Sequence, residues 1–239
     1  MLNKLSVGLL LCCLLFFVAA CAPEAPTAPA EPTLDTPKNR ISYTIGLNIG
    51  KDFATQEMDV DPDILIVGIK DAMAGKAPRL SEEEMVAEIQ TFQQKMQEQQ
   101  LAKVQVLADK NKAEGDAFLA ENAEQEGVVV LESGLQYKVV EPGDGVSPTA
   151  DSVVTVHYRG TLVDGTEFDS SYGRGEPATF PVGGVIPGWS EALPLMKVGA
   201  KWQLFVPAEL AYGERGAGQA IGPNSVLIFD VELIKIETE

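Results

Sequence analysis

The sequence predicts an α+β fold in which an all-α arm with one long helix precedes an antiparallel sheet wrapped on a single short helix. Three observations carry this. No proline follows a helix start at Ser81 and Glu84 until well past Gln125, and beyond Gly127 the chain turns to runs of β-branched and apolar residues. Among those runs, only the stretch between Pro187 and Val198 leaves room for a helix.

The first twenty residues join Lys4 to an apolar run from Leu5 to Ala20 that ends on small side chains, the layout of a signal peptide over residues 1–20. The run is shorter than the roughly 20 apolar residues of a spanning helix, and a Pro-rich stretch follows it. Val18-Ala19-Ala20-Cys21 resembles a bacterial lipobox, whose cysteine is acylated after cleavage just before it. The resemblance implies lipidation of Cys21 and a membrane partner through that lipid. Ala22 in the next position implies, by the same likeness to envelope lipoproteins, the outer membrane of a bacterial cell envelope, with the folded part in the periplasm or at the surface. Cys12 and Cys13 depart with the leader, so Cys21 is the only cysteine left and no intramolecular disulfide can form. Packing alone must then hold an exported fold together.

Residues 21–38 alternate Pro with Ala, Thr and Glu, a composition that keeps chain extended and reads as a tether. From 39 to 126 the pattern is helical. Ile41, Ile45 and Ile49 recur every four residues; Asp61-Pro62 opens a second helix and Gly75 closes it. Ser81 with Glu84 forms a capping box, and Met85, Ile89, Phe92 and Met96 then make a narrow, coiled-coil-like stripe. One helix of about 45 residues is permitted, with Gly115 as its weak point. Such a helix needs a partner for its stripe. Either the two short helices pack on it, or two chains interlock as a homodimer, and the open polar spacing favours the dimerisation arm.

Residues 127–239 supply the strands: 128–131, 135–140, 153–161, 166–169, 200–206 and 226–236, with Asp164-Gly165 as a hairpin turn. Pro194 falls inside the only helical stretch, so it belongs near a helix start or at a distortion.

Four ordered blocks in this segment resemble the FK506-binding type of peptidyl-prolyl cis-trans isomerase. They are 157–162 with 164–171 (HYRGTL and DGTEFDSS), 185–189 (VIPGW), 207–213 (PAELAYG) and 223–233 (PNSVLIFDVEL). The lipobox and long helical arm further resemble the macrophage infectivity potentiator subgroup. The resemblance implies a β half-barrel and a non-covalent isomerase acting on proline-containing segments of exported proteins. It implies Asp169, Tyr212, Tyr158 and Phe168 as catalytic residues, and Trp189, Val185, Ile186, Phe229, Ile221 and Arg174 as substrate-binding ones. Trp189 forms the floor, the apolar residues form the walls, and Tyr212 and the Ile186 N–H donate to substrate carbonyls. Macrolides of the FK506 or rapamycin type are implied ligands, although Ala178 stands where a larger side chain is usual and Ala217 where some members carry histidine.

The chemistry asks for no more than these residue types. Amide resonance sets a barrier of about 18–20 kcal/mol to rotation, and only proline bonds populate cis appreciably. The twisted transition state has lost conjugation and is less polar than the planar amide, so a dry aromatic pocket with a few fixed donors favours it without a nucleophile or cofactor. A binding-only chaperone or surface interaction protein is the alternative use of the same pocket. Other classes find no support. The net charge of −17 repels nucleic acid. His157 is the only histidine and no thiol remains in the domain, so no metal site is expected. No G-x-S-x-G elbow accompanies His157, and the glycine-rich run 213–218 lacks the Lys-Ser/Thr ending of a phosphate loop and reads as a flexible lip.

Overall fold

The computed structural model describes residues 31–237, so the predicted leader, Cys21 and most of the tether lie outside the described residues. The chain divides into two compact units, Met1–Ala77 and Pro78–Glu239.

In the first unit, α1 (Pro37–Thr55) begins two residues before the predicted start, because the Thr36 hydroxyl caps the Asn39 N–H at 3.1 Å and proline suits the first helical turn. In α2 (Pro62–Met73), the Asp61 carboxylate accepts from the N–H groups of Asp63 and Ile64 at 2.8 and 3.3 Å. Neither helix buries a single residue. Ile41, Ile45 and Ile64 remain 57%, 55% and 67% exposed.

The second unit opens with α3 (Glu82–Ala123), one unbroken helix started by the predicted capping box between Ser81 and Glu84. Its first half leaves Met85, Val86 and Ile89 exposed. Its second half buries Ala108, Gly115 and Asn122, which recur seven residues apart and so lie on one face. That face is docked on the sheet. Gly115 is therefore a contact and not a weak point: a Cβ there would come within 2.7 Å of Val226 Cγ2, so glycine lets helix and sheet approach. Further along, Asn122 Nδ2 donates to Gln136 Oε1 at 2.8 Å, Gln136 Nε2 donates to the Leu119 carbonyl at 2.9 Å, and Phe118 meets Phe205 at 5.9 Å.

Among the described residues seven strands follow: β1 (Val128–Val130), β2 (Gln136–Glu141), β3 (Val153–Leu162), β4 (Glu167–Ser170), β5 (Ala178–Pro181), β6 (Lys201–Val206) and β7 (Leu227–Glu237). All pairings are antiparallel, in the order β1-β2-β6-β7-β3-β4, while β5 pairs with the first half of β3. Short β4 and β5 thus share one edge of β3. Alternate residues Leu227, Phe229, Val231 and Leu233 of β7 are buried, the period-2 signature of one covered face. Helix α5 (Pro187–Ala192) covers it, placing Trp189 and Ala192 in a core with Val154, Val156, Leu204 and Met196. Pro194 sits at the start of the tight 3-10 turn Leu193–Leu195 that ends α5, the distortion its ring requires. The sequence did not indicate β5, which is four residues long and ends in proline; its pairing with β3 decides it.

Candidate active site

A cavity of about 460 Å3 opens between α5 and the β3–β4 edge of the sheet. It is lined by Tyr158, Phe168, Asp169, Phe180, Val185, Ile186, Trp189, Tyr212 and Phe229, with Gly184 and Ala211. Trp189 is its hub. Edge-on ring contacts join it to Tyr158 at 5.3 Å, Phe229 at 5.2 Å and Phe180 at 6.1 Å, and Phe229 meets Phe168 at 5.6 Å. These T-shaped pairs set positive ring edges against negative faces, which holds the walls apart at fixed angles. Gly188 allows the first turn of α5 to press on β6, since a Cβ there would lie 2.6 Å from Val206 Cγ1.

Phe168 and Asp169 are neighbours on one strand, and regular alternation would send them to opposite faces. A register shift prevents this: Gly160 pairs with Asp169 while Thr161 pairs with Glu167, leaving Phe168 as an extra, bulged residue. Both side chains then reach the cavity. Gly160 opposite is required to be bare, because a Cβ would stand 2.6 Å from the Phe168 ring and 2.9 Å from that of Phe229.

After β4 the chain makes one helical turn, α4 (Ser171–Arg174), capped by Ser170 and ended by Gly175 at φ 79°. The turn folds Arg174 back against Asp169. The Tyr158 hydroxyl donates to Asp169 Oδ2, Arg174 Nη1 donates to Asp169 Oδ1, and Arg174 Nη2 donates to the Tyr158 hydroxyl at 2.9 Å. Three side chains close a ring, with the guanidinium also 5.4 Å from the centre of the Tyr158 ring. Burial pushes Asp169 upward, but hydrogen bonds from Tyr158 and Arg174 and the Arg174 charge outweigh it and hold the carboxyl below its usual range. Burial and the bond to Asp169 raise Tyr158, so the phenol keeps its proton. Tyr212 also lines the cavity, 42% exposed, and its hydroxyl has no hydrogen-bond partner among the described residues.

Residues 145–234 match the family described as FKBP-type peptidyl-prolyl cis-trans isomerase, and residues 38–139 match the domain amino-terminal to it. The chain belongs to the FKBP-type isomerases. Within that family it is 48% identical over 205 residues to the outer membrane protein MIP of Legionella longbeachae, covering 86% of this chain and 88% of that one. It is 44% identical to the isomerase Mip of Coxiella burnetii, over 98% of this chain and 96% of the relative. The crystal structure of FkpA from Escherichia coli superposes with a TM-score of 0.72 at 39% identity, covering 86% of this chain and 99% of that chain. The predicted fold class and the infectivity-potentiator-like subgroup stand on these matches.

Of the residues singled out from this FKBP-type sequence, the structure brings Tyr158, Phe168, Asp169, Val185, Ile186, Trp189, Tyr212 and Phe229 to one cavity. Arg174 reaches it through Asp169 and Tyr158. Ile221 does not line it: its backbone is bridged to Ala217 at 2.8 and 3.1 Å, and its side chain is buried in the core. Phe180 was missed. It lies two residues beyond Ala178 on the same face of β5, so strand alternation from Ala178 could have found it had the strand been recognised. His157 is paired structurally, its Nδ1 2.9 Å from Ser171 Oγ and its ring stacked on Tyr172 at 4.6 Å. No cluster of three metal-ligating side chains occurs among the described residues.

Proposed function

We propose that the protein isomerises Xaa-Pro bonds of exported proteins within this cavity, without covalent chemistry. The observation that carries the reading is the aromatic cavity around Trp189, walled at one side by the closed Tyr158–Asp169–Arg174 ring. In this reading the proline ring sits on Trp189 between Phe168, Phe180 and Phe229, out of water. The amide then rotates where its less polar twisted form is favoured. The Ile186 N–H makes no hydrogen bond among the described residues and is available to a substrate carbonyl; Tyr212 offers its hydroxyl to another. Asp169, fixed by two donors, presents its carboxylate at the edge of the twisting carbonyl carbon. The curated relatives bear isomerase names, which favours catalysis over binding alone. The test is a proline-limited refolding reaction. Acceleration by catalytic amounts of the protein is expected, and none at any concentration would overturn the reading.

The place of action is the bacterial envelope, and lipidation of Cys21 is the proposed anchor. Several acyl chains on one residue hold a protein to a bilayer where a single chain gives only marginal binding, and no described helix is long and apolar enough to cross a membrane. Cys21→Ser is expected to move the protein from the membrane to the soluble fraction of envelope preparations; retention in the membrane would exclude the lipid.

A homodimer formed through the helical arm is the third part of the proposal. The apolar side chains of α1, α2 and the first half of α3 are supported in this role by their exposure, Ile45 and Ile89 standing 55% and 57% exposed. A chain beginning at Ala102 retains the docked half of α3 and lacks those surfaces. Light scattering is expected to give it a monomer's mass and to give a chain beginning at Asn39 a dimer's. Equal association states would remove the arm's role. Macrolide binding is supported by the aromatic cavity; Ala178 is not among its lining residues, and Phe180, two residues on, supplies an aromatic wall there.

A further inference from the structure

The lip that carries Tyr212 is held from outside the sheet domain's own segment. Residues 211–226 run from the cavity rim to the start of β7, and the long helix α3 grips this stretch at several points. Asn111 Nδ2 donates to the Pro223 carbonyl at 2.8 Å and lies 3.3 Å from Ser225 Oγ. Asn224 adopts a left-handed backbone, φ 56°, and reaches back to the Ala108 carbonyl at 3.4 Å. The Asn224 N–H donates to the Gly213 carbonyl at 2.9 Å, one residue beyond Tyr212. Two hydrogen-bonded steps therefore connect the face of α3 to the residue next to Tyr212.

The packing gives these bonds their weight. A cavity of about 270 Å3 opens along the seam between α3 and the lip, lined by Leu107, Asn111, Gly115, Gly222 and Val226 among others. The groove is open to solvent, so along it the hydrogen bonds of Asn111 and Asn224 join lip and helix where side chains do not. Gly222 shows how close the fit is at Asn111: a Cβ on Gly222 would stand 2.8 Å from Asn111 Nδ2. The lip is crowded at Gly216, where a Cβ would fall 2.2 Å from the Ile221 carbonyl oxygen, and open at Gly213 and Gly218. A displacement imposed at Pro223 and Asn224 reaches Gly213 directly, through the bond from the Asn224 N–H to the Gly213 carbonyl.

We infer that Asn111 is a positioning residue of the isomerase site, setting the Tyr212 hydroxyl through the Pro223–Asn224–Gly213 connection, so that the helical arm tunes substrate binding in the catalytic domain. The inference rests on the isomerase reading above. Asn122 provides an internal comparison, because from the same helix face it makes a more deeply buried bond to Gln136 on β2, which is no part of the lip.

The experiment measures kcat and KM of the full mature chain on a proline-containing tetrapeptide. Asn111→Ala is expected to raise KM about three- to tenfold with kcat within about twofold, because Tyr212 holds substrate throughout the reaction. Asn111→Asp keeps the shape but loses the donor and is expected to match Asn111→Ala. Asn122→Ala is expected to leave both constants unchanged. In a Tyr212→Phe background, Asn111→Ala should add nothing, the non-additivity of residues acting through one another. An unchanged KM in Asn111→Ala, an equal rise in Asn122→Ala, or a fall confined to kcat, as simple loss of folded enzyme produces, would each overturn the inference. Absence of turnover in the unaltered chain would sink the isomerase reading and this inference with it.

Discussion

Trp189→Ala is expected to lower the unfolding free energy by about 3–5 kcal/mol and to reduce isomerase activity to background. The residue is 4% exposed and touches three other aromatic rings, so its removal empties the floor of the cavity and unties the walls together. Denaturant melting followed by the refolding assay on the folded fraction separates the two losses. Trp189→Phe provides the contrast. Among the described residues the Trp189 indole N–H is buried without a hydrogen-bond partner, and such an orphan donor costs about 1–3 kcal/mol. Phenylalanine gives up ring area but also removes that donor, so Trp189→Phe is expected to lie within about 1.5 kcal/mol of the unaltered protein. A Trp189→Phe loss as large as that of alanine would show that the indole nitrogen is paired in solution.

Asp169→Ala is expected to reduce kcat/KM by about tenfold and to lower the melting temperature by a few degrees, since the bonds from Tyr158 and Arg174 are lost from the folded state. Hydrogen bonds to a charged group are worth about 1.5–3 kcal/mol, and each 1.4 kcal/mol is tenfold in rate. The lower end applies because the carboxylate is 44% exposed and water screens it. The pH dependence follows from the shifts in the ring. The carboxyl is held below its usual range, burial opposing and the bonds from Tyr158 and Arg174 prevailing, so its contribution is complete above the ordinary carboxylate value and fades as pH falls through the lowered one. Tyr158 is raised, by burial first and then by its bond to Asp169, and stays protonated beyond the ordinary phenol value. Activity is therefore expected to be flat from about pH 5 to about pH 9, since no member of the ring titrates there. A bell-shaped profile centred near neutrality would point instead to general acid–base chemistry and would contradict a purely conformational role for Asp169.

Much of this site could be read in the chain because its residues sit in short ordered blocks. Tyr158 with Gly160, Phe168 with Asp169, and Ile186 with Trp189 are each local, and local blocks survive without knowledge of the fold. What they do in space is another matter. Alternation along β4 sends Phe168 and Asp169 to opposite faces, and only the bulge against Gly160 and Thr161 aims both at the cavity. Phe180 escaped notice because β5 is too short to show a period of its own and exists through pairing with β3. Ile221 belongs to the resembling pattern and is buried in the same core as Trp189 and Phe229, with its backbone bridged to Ala217, but it is not among the cavity's lining residues.

The helical arm divides in the same way. The starts of α2 and α3 were legible in Asp61-Pro62 and in the Ser81–Glu84 box, because capping is an interaction between residues three apart. The docking face of α3 was not, since it is made of Ala108, Gly115 and Asn122, small or polar residues that give no apolar stripe. Gly115 is informative here. In isolation a mid-helix glycine costs about 1 kcal/mol relative to alanine, whereas against Val226 it is what permits contact.

The sequence by itself determined the class of every long element, the order of the four blocks, and the non-covalent chemistry their side chains allow, because periodicity, caps and turns act over a few residues. Only the tertiary structure decided which faces meet. The partner of Gly115 is more than a hundred residues away, as are the carbonyl that holds Asn111 and the helix behind the Tyr212 lip, and a one-dimensional pattern shows which side of an element is apolar or small but not what will be packed against it.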